Sequence, residues 1–149
     1  MKMIITCSHG YISMTINEFK KGLKKGFVPT TYSMMSKSRV LLEEDVDAPN
    51  YMKCMYPDTY SKKWQTMKTT HQNTINHNKY MTIAITLEEL EDKVAIYDKN
   101  NYRLGDKMIT SNGTYNIKGY QKDGYVYIDD NGMWLMPFAR IQKIEKVGH

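Results

Sequence analysis

Between residues 111 and 132 the chain carries three turn dipeptides, Asn112-Gly113, Asp123-Gly124 and Asn131-Gly132. Short runs rich in β-branched and aromatic residues stand around them: DKMIT before the first, TYNIKGYQ and YVYID between them, MWLMP after the last, and RIQKIEK at the end. Asn-Gly and Asp-Gly suit type I′ hairpins, whose two central positions both need positive φ. The pattern predicts about five short antiparallel strands over residues 102–146, with Gly113, Gly124 and Gly132 at the hairpin turns. Five strands of that length cannot cover both faces of a flat sheet, so closure into a small barrel is the expected solution.

Two further features lie in the same segment. Tyr102 is followed by Gly105-Asp106 ahead of the first strand, and Asn131 to Ile141 reads NG-x-W-x-x-P-x-x-R-I. This order of signals resembles the SH3-like barrels, including their KOW and Tudor-type relatives, and is similar to the closing domains of small phage-encoded proteins. The resemblance implies a strand running into a proline-started single turn and then a last strand. The acidic loop and adjacent tryptophan pair of peptide-binding SH3 domains are absent, so recognition of proline-rich peptides is not implied. Fold alone gives no function.

The preceding residues mix periods. MKMIITC and YISMTI read as a hairpin through Ser8-His9-Gly10. Thr15 stands three residues before Glu18, a capping-box spacing, and Ile16, Phe19 and Leu23 share a helical face that Gly26 and Pro29 terminate. Residues 38–42 favour a strand, the acidic run to Asp47 a loop, and YMKCMY, 51–56, another strand. Asp58 is placed to cap a helix over 60–68, with Tyr60, Trp64 and Met67 on one side. Residues 69–79, TTHQNTINHNK, read as an exposed loop or linker. KYMTIAIT then reads as a strand, and Thr86 with Glu89 starts a helix through Tyr97. The expected class is α+β: a basic lobe over residues 1–78, then residues 79–149 with strand, helix and barrel.

Charge divides along the same line. Residues 1–81 hold twelve Lys/Arg and six Asp/Glu, net +6, whereas residues 82–149 hold nine and ten, net −1. An all-positive excess in one lobe points to an anionic partner, either nucleic acid or an acidic protein surface, and competes with a solvated lysine coat kept for solubility. Twelve Met, twelve Tyr and eighteen Lys against three Arg suit AT-rich coding DNA, as in many bacteriophages. Cys7 and Cys54 form no framework or CxxC pair; both are expected to be small buried apolar residues in a reducing, cytoplasmic compartment. The opening residues fit neither a signal peptide nor a membrane span.

The candidates for chemistry are few. His71 and His77 stand six apart with no metal-ligand spacing, and His9 between Ser8 and Gly10 lacks the frame of a nucleophilic site. Glu43, Glu44, Asp45 and Asp47 make the densest acidic group, without EF-hand spacing. With no glycine-rich phosphate loop either, the sequence predicts no cofactor, no metal and no catalysis. Lysines interleaved with aromatics form the better constellation: Lys20, Lys21, Lys24 and Lys25 on one helix, Lys62, Lys63, Trp64 and Lys68 on another. Together they suggest phosphate contacts beside a stacking ring, against the simpler reading that buries Trp64. The expected function is a non-enzymatic, phage-encoded binding protein that inhibits a host protein or nucleoprotein complex. Sequence-nonspecific nucleic-acid binding and sequestration of an anionic small molecule or signalling nucleotide are the alternatives, and the scarcity of Arg counts against the former.

Overall fold

The computed structural model describes residues 1–148; His149 lies outside the described residues. The class is α+β, and the chain divides into two compact units, Met1–Leu87 and a second from Glu88 onward.

The first unit is built on one six-stranded sheet. β1 (Lys2–Ile5) and β2 (Gly10–Thr15) form the expected hairpin, closed by Thr6, whose N–H donates to the His9 carbonyl at 2.8 Å. α1 (Ile16–Lys24) follows at once because Thr15 and Glu18 complete the capping box, each side chain taking the other's backbone N–H at 3.1 and 3.0 Å. Gly26, at φ +93°, ends it, with the Phe27 N–H on the Gly22 carbonyl and the Gly26 N–H on that of Leu23.

β3 (Met34–Met35), β4 (Arg39–Glu43), β5 (Lys68–His71) and β6 (Met81–Thr82) complete the order β5-β1-β2-β4-β3-β6. Alternation gives the sheet two different faces. Ile12, Met14, Val40 and Leu42 lie on one and are fully buried, as are Phe19 of α1 and Tyr51 and Met52 in the helix after β4. Ile4, Tyr11 and Leu41 lie on the other and cluster with Ile75, Met34 and Tyr80.

Three expectations for this unit need correction. Residues 51–56 are not a strand: 51–55 lie in α2 (Asp47–Met55) and Tyr56 is its C-cap. Ala48, Tyr51, Met52 and Met55 recur at i, i+3, i+4 and i+7, and that period outweighs the strand preference of the tyrosines. Residues 69–79 are not all loop, because Lys68–His71 runs parallel to β1 and supplies the sheet with an edge. Met81–Thr82 pairs with Met34–Met35, so the strand grouped with the second lobe belongs to the first unit's sheet.

The second unit opens with α4 (Leu87–Tyr97), as expected. β7 (Lys107–Thr110), β8 (Gly113–Asn116), β9 (Gly119–Gln121), β10 (Gly124–Asp129), β11 (Gly132–Pro137) and β12 (Ile141–Glu145) follow, with a 3-10 turn at Phe138–Arg140. Among the described residues these strands make two three-stranded sheets, β12-β7-β8 and β11-β10-β9, rather than one closed barrel. All their pairings are antiparallel. Tyr125 sits at the centre of the packing, its ring 5.2 Å from that of Phe138 and 5.0 Å from Tyr102, and its hydroxyl donates to the Asp98 carbonyl at 3.2 Å.

The hairpin turns differ in type from expectation. The pairs Thr110–Gly113, Gln121–Gly124 and Asp129–Gly132 close two-residue loops, so each glycine opens the next strand instead of sitting inside the turn. Among the described residues no non-glycine residue has positive φ, which excludes type I′ and fits type I turns with glycine in the last position. Thr110 and Asp129 brace two of these turns by accepting from the N–H groups of Asn112 and Asn131.

Candidate anion-binding face

α1 carries Lys20, Lys21 and Lys24, with Lys25 at its C-cap, because only Phe19 and Gly22 of the helix are buried. Lys21, Lys24 and Lys25 are exposed and Lys20 is half-buried. Gly22 brings the neighbouring helix close: a Cβ there would lie 2.5 Å from the Tyr51 ring. The Tyr51 hydroxyl donates to the Glu18 carbonyl at 2.7 Å, and burial pushes that phenol well above its usual range. Burial alone would raise Glu18, but the Thr15 N–H and hydroxyl and the N-terminal ammonium, 3.5 Å away, together hold it below the ordinary carboxylate value.

α2 is anchored at its start by Asp47. This fully buried carboxylate accepts from the Thr30 N–H at 2.9 and 3.0 Å, from the Thr30 hydroxyl at 2.9 Å and from the Ser33 hydroxyl. Glu43 accepts from the N–H groups of Asp45 and Val46, and Glu44 lies against Gly10. The acidic run is therefore engaged in shaping the β4–α2 turn. Among the described residues, no group of three or more His, Cys, Asp or Glu side chains is arranged to hold a metal ion.

α3 (Tyr60–Gln65) completes the face. Asp58 does not cap it; Thr59 occupies that position and makes no side-chain hydrogen bond there. Between α2 and α3 runs a groove of about 370 Å³ lined by Pro49, Lys53, Tyr60, Ser61, Trp64 and Gln65. Trp64 is half-buried in it, so its ring is neither core nor free. Lys53 Nζ lies 5.7 Å above the Tyr60 ring and Lys63 Nζ 4.2 Å above that of Tyr56, a geometry that holds ammonium groups over aromatic faces.

α2 links the two lysine-bearing helices. Its Cys54 thiol reaches the Lys25 carbonyl at 3.6 Å, while Pro49 and Lys53 share the groove with α3. α1 with its C-cap, which bears Lys20, Lys21, Lys24 and Lys25, and α3, which bears Lys62, Lys63 and Trp64, thus both pack on α2. Lys68 does not join them: it lies in β5 opposite Lys2, on the sheet face of Ile4 and Tyr11. Lys53, missed from the sequence, lines the groove beside Trp64; the i, i+3, i+4, i+7 spacing from Ala48 was the signal that would have placed it on a helix.

A second recess, about 250 Å³, lies at the β1–β2 turn and is lined by Thr6, Ser8, His9, Tyr11, Asn73, Thr74, Ile75 and His77. It brings together two histidines that are far apart in sequence. Burial, then Glu43 and Glu44, raise the Tyr11 hydroxyl, and among the described residues no carboxylate hydrogen-bonds either imidazole. His71 lies outside this recess, in β5. Cys7, expected to be buried, is exposed beside it, and Cys54 is half-buried.

Comparison with known proteins returns no matching family, no matching curated protein and no matching solved structure. Among the described residues no helix is long and apolar enough to cross a membrane.

Proposed function

We propose that this chain is a non-enzymatic binding protein whose first unit holds an anionic macromolecular surface against the α1–α2–α3 face. The observation that carries the reading is the linkage through α2: two lysine-bearing helices from separate stretches of sequence pack on one helix, beside a groove containing Trp64. Self-repulsion among like charges is relieved when an anion shares them. The narrower form of the proposal is a phage-encoded inhibitor of a host protein or nucleoprotein complex, acting in the host cytoplasm. Its support is composition and size.

For the second unit we propose an SH3-like barrel acting as a rigid support. The support is connectivity: the last strand pairs with the first, a 3-10 turn precedes it, and β8 and β9, separated by two residues, serve one sheet each. The Ile117 and Lys118 N–H groups continue the bonding across that bend, to the carbonyls of Asp106 at 2.7 Å and Val126 at 2.8 Å.

The test is association measured at two salt concentrations with RNA, DNA and host lysate as separate arms. Lys21→Glu, Lys24→Glu and Lys25→Glu together should leave folding intact and slow association, most strongly at low salt. Lys118→Glu with Lys122→Glu is the control in the second unit; Lys146 is spared because its Nζ lies 3.8 Å from the buried Asp106. Binding lost in the control but kept in the α1 variant would overturn the proposal. A gel shift with either nucleic acid that fades steeply with salt would move the partner to that class.

A further inference from the structure

β11 is an edge strand of its sheet, and its exposed side chains are unusually apolar. Met133 is 70%, Trp134 47% and Leu135 39% exposed, and on the neighbouring strand Ile128, opposite Met133, is 56% exposed. From Asn131 to Ala139 the chain has no charged residue. Edge strands of monomeric proteins are ordinarily protected by an inward charge, a lysine, a bulge or a central proline. β11 has only Pro137, at its last position. An edge that is both uncharged and apolar is a template for another strand.

We propose that β11 pairs antiparallel with β11 of a second copy of this chain, about a two-fold axis through Trp134, joining two three-stranded sheets into one of six. A two-fold axis normal to a sheet matches residues whose numbers differ evenly about its centre, so side chains that share a face meet their own kind. Met133 of each copy then lies opposite Leu135 of the other, on the face that also carries Ile128 and Val126. Trp134 meets its own counterpart on the opposite face. Charge agrees with this direction. The acidic tip, Asp129 and Asp130, is carried towards the other copy's Pro137–Arg140 end, where Arg140 is exposed. Asp129 also holds the Trp134 ring in place by accepting from its Nε1 at 2.8 Å. A parallel arrangement would set the acidic tips against each other and lose that complementarity. Pro137, which has no N–H, limits the new ladder to the length of one strand.

This strand belongs to the second unit and α1, α2 and α3 to the first, so the two proposals are tested on different residues and fail independently. Sedimentation velocity over a concentration series should show a monomer–dimer equilibrium for the full chain. Met133→Lys, at a position that contributes little to the fold, should raise the dissociation constant by roughly tenfold or more while circular dichroism stays unchanged. In a Cys7→Ser, Cys54→Ser background, Trp134→Cys should form an intermolecular disulfide under mild oxidation, since directly opposed strand residues approach the reach of that bond. Ser111→Cys, at the tip of another hairpin, should not. A chain that stays monomeric up to its solubility limit, a dimer indifferent to Met133→Lys, or equal cross-linking at both cysteines would each overturn the proposal.

Discussion

Gly22 sets how closely α1 and α2 approach, because any Cβ would enter the Tyr51 ring. Gly22→Ala gains helix propensity of about 1 kcal/mol but must displace a fully buried aromatic, and overpacking of that kind costs about 1–3 kcal/mol. A net loss is expected in the denaturant midpoint, with weakened anion binding because Lys25 and Cys54 move apart. Tyr97 makes the opposite case. Among the described residues its buried hydroxyl finds no hydrogen-bond partner, and burial pushes its pKa up to about 12 from 10.0. Tyr97→Phe should therefore raise stability by about 1 kcal/mol at neutral pH. The wild type also loses stability as pH rises from 10.0 towards about 12, since the unfolded chain releases the phenolic proton first. The variant should show a shallower alkaline decline in the same titration.

At the scale of the element, the capping box of α1 was legible because both partners stand in one four-residue window. Thr15→Ala should cost about 1 kcal/mol, read from thermal or denaturant unfolding. The hairpins were legible as turns but not in type. Asn-Gly gives two candidate placements of the glycine, inside the turn or just after it, and the cross-strand register chooses between them. Gly132, at φ +127°, should lose about 1 kcal/mol or more on replacement by Val. Gly124 has no positive φ, yet a Cβ there would strike the Met136 carbonyl, so Gly124→Ala should separate β10 from β11 and destabilise more than Gly132→Ala. Residues 51–56 read as a strand because tyrosines favour sheets in isolation, while burial of Tyr51 and Met52 on one helical side decided otherwise.

At the scale of the whole molecule, charge separates the two units, with the positive excess confined to the first. Its effect on binding should follow ionic strength, since surface charges more than about 10 Å apart are screened at 0.1 M salt. The acid limb of stability should include Glu18: its pKa is depressed in the fold, so its contribution is complete above the unfolded value and is lost as pH falls through the folded one. Glu18→Gln, which keeps an acceptor for the Thr15 N–H, should flatten that acid decline in a pH series of unfolding midpoints.

Local signals along the chain were enough for the α+β class, the first hairpin, α1 with both its ends, α4 and the succession of short strands after residue 106. Each of these rests on signals within about a dozen neighbouring residues, where periodicity, caps and turn residues act. Tertiary structure alone decided that β5 and β6 join the first sheet, that His9 and His77 line one recess, that Lys53 lines the groove beside Trp64 and that Lys68 lies in β5. Those outcomes depend on which strand edge needs a partner and which helix face finds a core, and such pairings are fixed by contacts between residues distant in the chain.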